Sequence, residues 1–228
     1  MTFDSDGFVA QCLEAGAAPD PPSAVREVVA AAVVDGAGID AALGLENATF
    51  PSALFESDEL TVQRITWWPG YRSQRHEHRM WAVVGVYVGV EVNRLYRRTR
   101  AGLEPAATHE VGVGDVITLD ETAIHSVENP LRTRTAGLHV YGGDILTQPR
   151  SAWGPDGKEQ PFNEHAPLES AMFVFARQVS TDAGIDLDDD TKYAAMKALA
   201  AERERVGRYL TDAEARALIC EAWGLPDA

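Results

Sequence analysis

The chain has 228 residues, with 35 Asp plus Glu against 20 Lys plus Arg and a formal charge of −15. Acidity on that scale argues against a nucleic-acid or anionic-membrane surface, both of which attract basic patches. A composition of 45% hydrophobic and 24% charged residues is ordinary for a globular protein, and a chain this long needs no disulfide or metal staple to fold.

The first residues, MTFDSDGF, carry neither a basic n-region nor an apolar h-region, so no signal peptide is read there. Residues 4–45 are Ala-rich and helix-like. After the loop signal Pro19-Asp20-Pro21-Pro22, Val25, Val28, Val29, Ala32 and Val33 recur at helical spacing. From about 55 to 145 the texture becomes β-like. LTVQRITWW (60–68), WAVVGVYVGV (81–90), DVITL (115–119) and TAGLHVYGG (135–143) are rich in β-branched and aromatic residues and are punctuated by Gly, Pro, Asn and Asp. Short strands without helices between them predict a sandwich or barrel, not a parallel α/β sheet.

Residues 151–167 read as a loop, after which helical periodicity returns. Helices are expected over Thr191–Tyr209 and Thr211–Trp223, the second opening on a capping box at Thr211 and Glu214. The aspartates at 186–190 lack the glycine and glutamate of a calcium loop and are expected to be charge at a helix N-terminus. Three regions follow: a helical flank (1–50), a β core (51–150), and a loop with C-terminal helices (151–228). Cys12 and Cys220 sit near opposite ends with nothing in their spacing to suggest a bridge or zinc site, and two free thiols suit a reducing cytoplasm. The apolar run near 80–90 is too short and glycine-broken to span a bilayer, so a soluble cytoplasmic chain is expected.

Chemistry concentrates in three segments of the β region. In His76-Glu77-His78 the alternation of a strand puts both imidazoles on one face and Glu77 on the other. By itself such a pair is either a metal clamp or two polar residues in a turn. A second segment, Gly114 to Asn129, carries His125. Together the spacings Gly70-x5-His76-x-His78, closed by Gly89, and Gly114-x10-His125-x3-Asn129 resemble the two motifs of the cupins, which implies a mainly β double-stranded β-helix (jelly roll) with helical N- and C-terminal flanks. Asp120 and Thr122 replace the usual Pro and Gly, so that turn must form differently. Ala82 and Val83 stand where many cupins carry a ligating Glu. Three neutral imidazoles would then leave a dipositive ion uncompensated and open to an anionic co-substrate such as a thiolate.

The third segment, Gly137-Leu138-His139-Val140-Tyr141, carries the resemblance further. The stretch from about Trp67 to Arg150 resembles the thiol dioxygenases, cysteine dioxygenase and bacterial 3-mercaptopropionate dioxygenase. That resemblance implies Fe(II) held by His76, His78 and His125, and a relay of His139 and Tyr141 in which Gly137 replaces the family's Ser. No cysteine follows the histidine pair, so Tyr141 should be free of a thioether crosslink. Arg150 corresponds to the arginine that anchors a substrate carboxylate, a task suited to a planar guanidinium; Arg64 and Arg72 are its substitutes. Trp81 and Met80 are candidate pocket walls. The implied partners are a small thiol and O2, with no nucleic acid and no membrane, and the helical ends are flanking or dimer-forming elements. The competing readings are another metal-dependent cupin oxygenase or isomerase, and a non-catalytic cupin that senses a metal or small molecule.

Overall fold

A computed structural model describes residues 3–44, 52–162, 166–208 and 210–226. The N-terminal flank forms α1 (Ser5–Gly16), α2 (Pro21–Ala32) and α3 (Gly36–Leu43), each begun by an aspartate, Asp4, Asp20 or Asp35, whose side chain accepts a backbone N–H two or three residues into the helix. Residues 45–50 of that expected flank lie outside the described residues.

The β region is built from β1 (Ser52–Glu56), β2 (Thr61–Trp67), β3 (Arg75–Glu77), β4 (Ala82–Val88), β5 (Glu91–Thr99), β6 (Gly102–Val111), β7 (Val116–Leu119), β8 (Ile124–Glu128), β9 (Thr135–Tyr141), β10 (Ser151–Trp153) and β11 (Glu159–Pro161). All pairings are antiparallel. From the β5·β6 hairpin outward, β4 pairs β7, β3 pairs β8 and β2 pairs β9. This nested two-strand ribbon winds on itself so that β9 also meets β4 and β8 also meets β5. Its turns fall alternately in a five-stranded sheet, β1-β2-β9-β4-β7, and a six-stranded sheet, β11-β10-β3-β8-β5-β6. That is a cupin-like double-stranded β-helix.

The four apolar runs expected as strands are β2, β4, β7 and β9. The strands that periodicity did not reveal are the polar or short ones. Residues 151–167 are a clear departure: β10 and β11 form there, and β10 pairs β3 with Ala152 opposite His76. Three residues are too few to carry a period, and only the neighbouring strand makes this segment extended. Residues 163–165 of the expected loop lie outside the described residues.

Helix α2 covers the outer face of the five-stranded sheet. Val25, Val29 and Val33 share a buried cluster with Val62, Val83, Leu138 and Val140. The approach is close enough that a Cβ on Gly85 of β4 would collide with the Val29 and Val33 side chains. The C-terminal flank is α4 (Ala166–Ala183), not singled out from the sequence, then α5 (Asp189–Val206) and α6 (Asp212–Ala222). Asp188 caps α5 with Asp189 and Asp190 in its first turn, and the Thr211–Glu214 capping box is formed. Tyr209, the expected last residue of the first of these helices, lies outside the described residues. Phe173, Met196, Leu199 and Ile219 pack on Trp67, Trp68, Tyr71 and Val127 at one end of the barrel. Among the described residues no helix is long and apolar enough to cross a membrane, and both cysteines are buried and free.

Overpacking of this kind costs about 1–3 kcal/mol. Gly85→Val should therefore lower the thermal midpoint of unfolding, read by circular dichroism, despite valine's higher strand propensity.

Candidate metal centre

The β3·β8 register sets His76 directly opposite His125. His78 follows the last residue of β3, and the chain then turns through Arg79, whose φ of 58° is the one left-handed value at a non-glycine among the described residues. All three histidines are buried. The Nε2 of His78 lies 3.2 Å from that of His76 and 3.2 Å from that of His125. Imidazole nitrogens bind first-row metals at about 2.0–2.1 Å, so three on one octahedral face lie about 3 Å apart. The two distances from His78 match that spacing, and one ligand nitrogen from each ring lies within 4.8 Å of the others.

Neighbouring groups fix which nitrogen of two rings faces inward. His76 Nδ1 meets the Gln74 carbonyl at 3.0 Å, and His125 Nδ1 meets Asn93 Oδ1 at 2.8 Å. Both partners only accept, so each Nδ1 carries the proton and each Nε2 presents a lone pair. Burial pushes the pKa of His76 down to about 4, with the Arg150 charge adding to the effect. Burial, reinforced by neighbouring histidines and by Arg150, also holds His78 and His125 well below the usual imidazole range. Three neutral imidazoles brought together could hold a metal ion, and the donor set suits iron, zinc, copper or nickel alike.

A ligating carboxylate is absent from the places where the sequence lacked one. Ala82, fully buried, pairs with Tyr141 in the interior, whereas Val83 packs in the cluster beneath α2. Glu77 turns from the triad to the guanidiniums of Arg79 and Arg98. In place of Pro and Gly, Asp120 Oδ1 accepts both the backbone N–H and the hydroxyl of Thr122, each at 2.7 Å, and makes the turn before β8.

Strand β9 brings His139 and Tyr141 to the same interior. The Tyr141 ring stands edge-on to His78, 5.2 Å between centroids, and its hydroxyl is 3.4 Å from His139 Nδ1. Burial pushes His139 down to about 3 and raises the Tyr141 phenol, a rise that Arg150 opposes. Gly137 is squeezed between β2 and β4: a Cβ there would lie 2.9 Å from the Gly85 carbonyl oxygen. A serine side chain at this position has no room in the sheet.

Arg150 is carried to the site by β10. Its guanidinium lies 4.0 Å over the Phe162 ring, which packs 5.2 Å from His76, and its charge reaches all three histidines. Arg64 is instead spent on the α3 C-terminus, donating to the Leu43 and Gly44 carbonyls. The Arg72 carbonyl accepts from Arg203 of α5. Of the two pocket-wall candidates, Met80 packs with Ala82 and Tyr141. Trp81 points the other way, against Gly142 and the cluster beneath α2, because adjacent residues face opposite sides of the sheet.

Sequence reasoning missed Glu91, Asn93 and Phe162. Glu91 and Asn93 are buried polar residues at alternate positions of β5. Their one sequence signal was that alternation, Glu-x-Asn, immediately after the turn at Gly89.

No family model matches the chain. Among solved structures, an oxalate oxidase in complex with glycolate aligns at 16% identity and TM-score 0.34, over 37% of this chain and 42% of that one. A conserved Klebsiella pneumoniae protein with a double-stranded β-helix domain aligns at 15% identity and TM-score 0.35, over 42% and 74% of the two chains. For a Bacillus halodurans protein the values are 18% and 0.38, over 42% and 72%. The match thus spans less than half of the oxalate oxidase chain, and likeness of this size says nothing about chemistry.

Gly137→Ser should destabilise the protein by about 1–3 kcal/mol, since the clash is with backbone that can move only with the sheet; a denaturant titration measures it. Equilibrium dialysis should find one divalent metal ion per chain, and none with His78→Ala.

Proposed function

We propose that this protein is a thiol dioxygenase: with Fe(II) held by His76, His78 and His125, it adds both atoms of O2 to the sulfur of a small thiol acid, converting RS⁻ and O2 to the sulfinate RSO2⁻. The observation that carries this is the meeting of an uncharged three-histidine face with the His139–Tyr141 pair and the Arg150 guanidinium at one interior site. Iron bound there would supply the redox chemistry through which O2 reacts with sulfur.

The chain's own groups do the rest. Arg150 pairs with the substrate carboxylate, and its stacking on Phe162 limits the directions in which its fork can point. That anchor aims the thiol end of a short molecule at the histidine face and so removes much of the entropy of bringing the reactants together. The Tyr141 phenol stays protonated at neutral pH because burial raises its pKa, so it is available as a hydrogen-bond donor to the reacting sulfur or oxygen. His139, neutral at that pH, positions the phenol through Nδ1. Met80, Ala82 and Ile145 line the Tyr141 side with apolar surface and limit water there. An uncharged ligand set favours a substrate that brings its own negative charge, which a thiolate does.

A second reading, another cupin oxygenase or isomerase acting on a non-thiol acid, is favoured by one observation: the relay serine is replaced by Gly137, where no side chain fits. Oxygen uptake by the Fe(II)-loaded protein decides between them. Turnover of cysteine or 3-mercaptopropionate to a sulfinate is expected, with cysteamine, which lacks a carboxylate, a poor substrate, and turnover is lost in His125→Ala. No uptake with any small thiol, alongside turnover of a non-thiol acid, would establish the second reading. Arg150→Ala should raise KM for a thiol acid about tenfold to a hundredfold, the worth of a charged hydrogen bond, with a smaller effect on kcat. Tyr141→Phe should show the opposite split, lowering kcat about tenfold or more at nearly constant KM.

A further inference from the structure

Glu91 and Glu77 are the two buried carboxylates among the described residues. Glu77 meets Arg79 and Arg98. Glu91 instead is held by neutral donors: Trp67 Nε1 donates to its Oε2 at 2.6 Å and Asn93 Nδ2 to its Oε1 at 2.8 Å. It is 1% exposed. A buried carboxylate without a cation is costly, and burial raises its pKa accordingly.

Two features point Glu91 at the histidine face. Asn93 is fully buried and uses its other end, Oδ1, to accept from His125 Nδ1 at 2.8 Å, so a continuous path runs from Glu91 through Asn93 to one imidazole of the triad. Glu91 Oε2 also lies 3.5 Å from His139 Nε2, beyond a formed hydrogen bond, on the side where Gly137 offers no side chain. Two incomplete arrangements therefore adjoin. A three-histidine face would leave a divalent cation uncompensated, and a buried carboxylate stands two side chains behind it without a guanidinium or ammonium among the partners described above.

Resting on the metal-centre reading of the site, we propose that Glu91 is its outer carboxylate: a positioning residue that orients Asn93, and through it His125, and that supplies the negative charge the ligand set lacks. The charge sits outside the ligand sphere, so it strengthens metal binding without occupying a position that substrate needs. Through Trp67, which stacks on Tyr71 at 4.6 Å between ring centroids, the same carboxylate is tied to the core under the C-terminal helices.

The test is Co(II) affinity of the metal-free protein, measured by competition with a chromophoric chelator and by the Co(II) d–d spectrum. Outer-shell partners of metal-bound histidines are typically worth about 10–100-fold in metal affinity. Glu91→Gln keeps the side-chain volume and should weaken Co(II) binding by that factor. Asn93→Ala, which cuts the path to His125, should weaken it comparably and shift the d–d bands as His125 loses its fixed orientation. Circular dichroism establishes that each variant is folded, and if Glu91→Gln is not, Asn93→Ala carries the test. Folded variants that bind Co(II) within about threefold of wild type, with an unchanged spectrum, would overturn the role of Glu91 and leave the metal centre standing. A wild-type protein that binds no Co(II) would remove the metal centre itself, and this inference with it.

Discussion

Direct opposition of His76 and His125 across the β3·β8 ladder is the constraint on which the site depends. Cross-strand neighbours are held a few ångströms apart by the ladder itself, so two of the three imidazoles converge without any side chain having to reach. The third, His78, reaches the same point because the chain leaves β3 there and turns at Arg79. The fold serves this opposition. The nested ribbon keeps β3 against β8 on one side and β10 on the other, and the second contact delivers Arg150.

Bringing three imidazoles together in a dry interior has consequences that the surroundings must absorb. Each ring is kept neutral by burial, and two are locked by acceptors at Nδ1, Gln74 and Asn93. On the Tyr141 side the wall is Met80, Ala82, Leu119, Tyr141 and Ile145; the N-terminal helices close the outer face of the five-stranded sheet, and the C-terminal helices close one end of the barrel. The flanks thus act on the site indirectly. The C-terminal helices pack on Trp67, whose indole holds Glu91, and the N-terminal helices brace the sheet that carries His139 and Tyr141.

Much of the site was legible because its residues lie in regular strands with recognisable spacing. His76, His78, His125, His139 and Tyr141 converge as alternation and the two motifs implied. Trp81 was misplaced for the same reason that the others were placed well. Its neighbour Ala82 faces inward, so Trp81 must face out. The polar strands were harder. EVNRLYRRT has no apolar alternation strong enough to announce β5, and the inward members of that strand, Glu91 and Asn93, are polar residues hydrogen-bonded to each other and, through Asn93, to His125.

By itself the sequence determined the helical ends, the β middle without parallel crossovers, the caps of the last two helices and the identity of the three histidines, since each follows from local periodicity or short spacing. Only the tertiary structure decided what stands behind them. The strand β10 exists because β3 offers it an edge, and Arg150 enters the site with it. Gly137 has no room for a side chain because β4 runs too close. Glu91 is linked to the histidines through Asn93, two residues along β5, whose amide oxygen meets His125 across the β5·β8 ladder. Each of these depends on strands distant in sequence meeting side by side in a sheet, which no local pattern encodes.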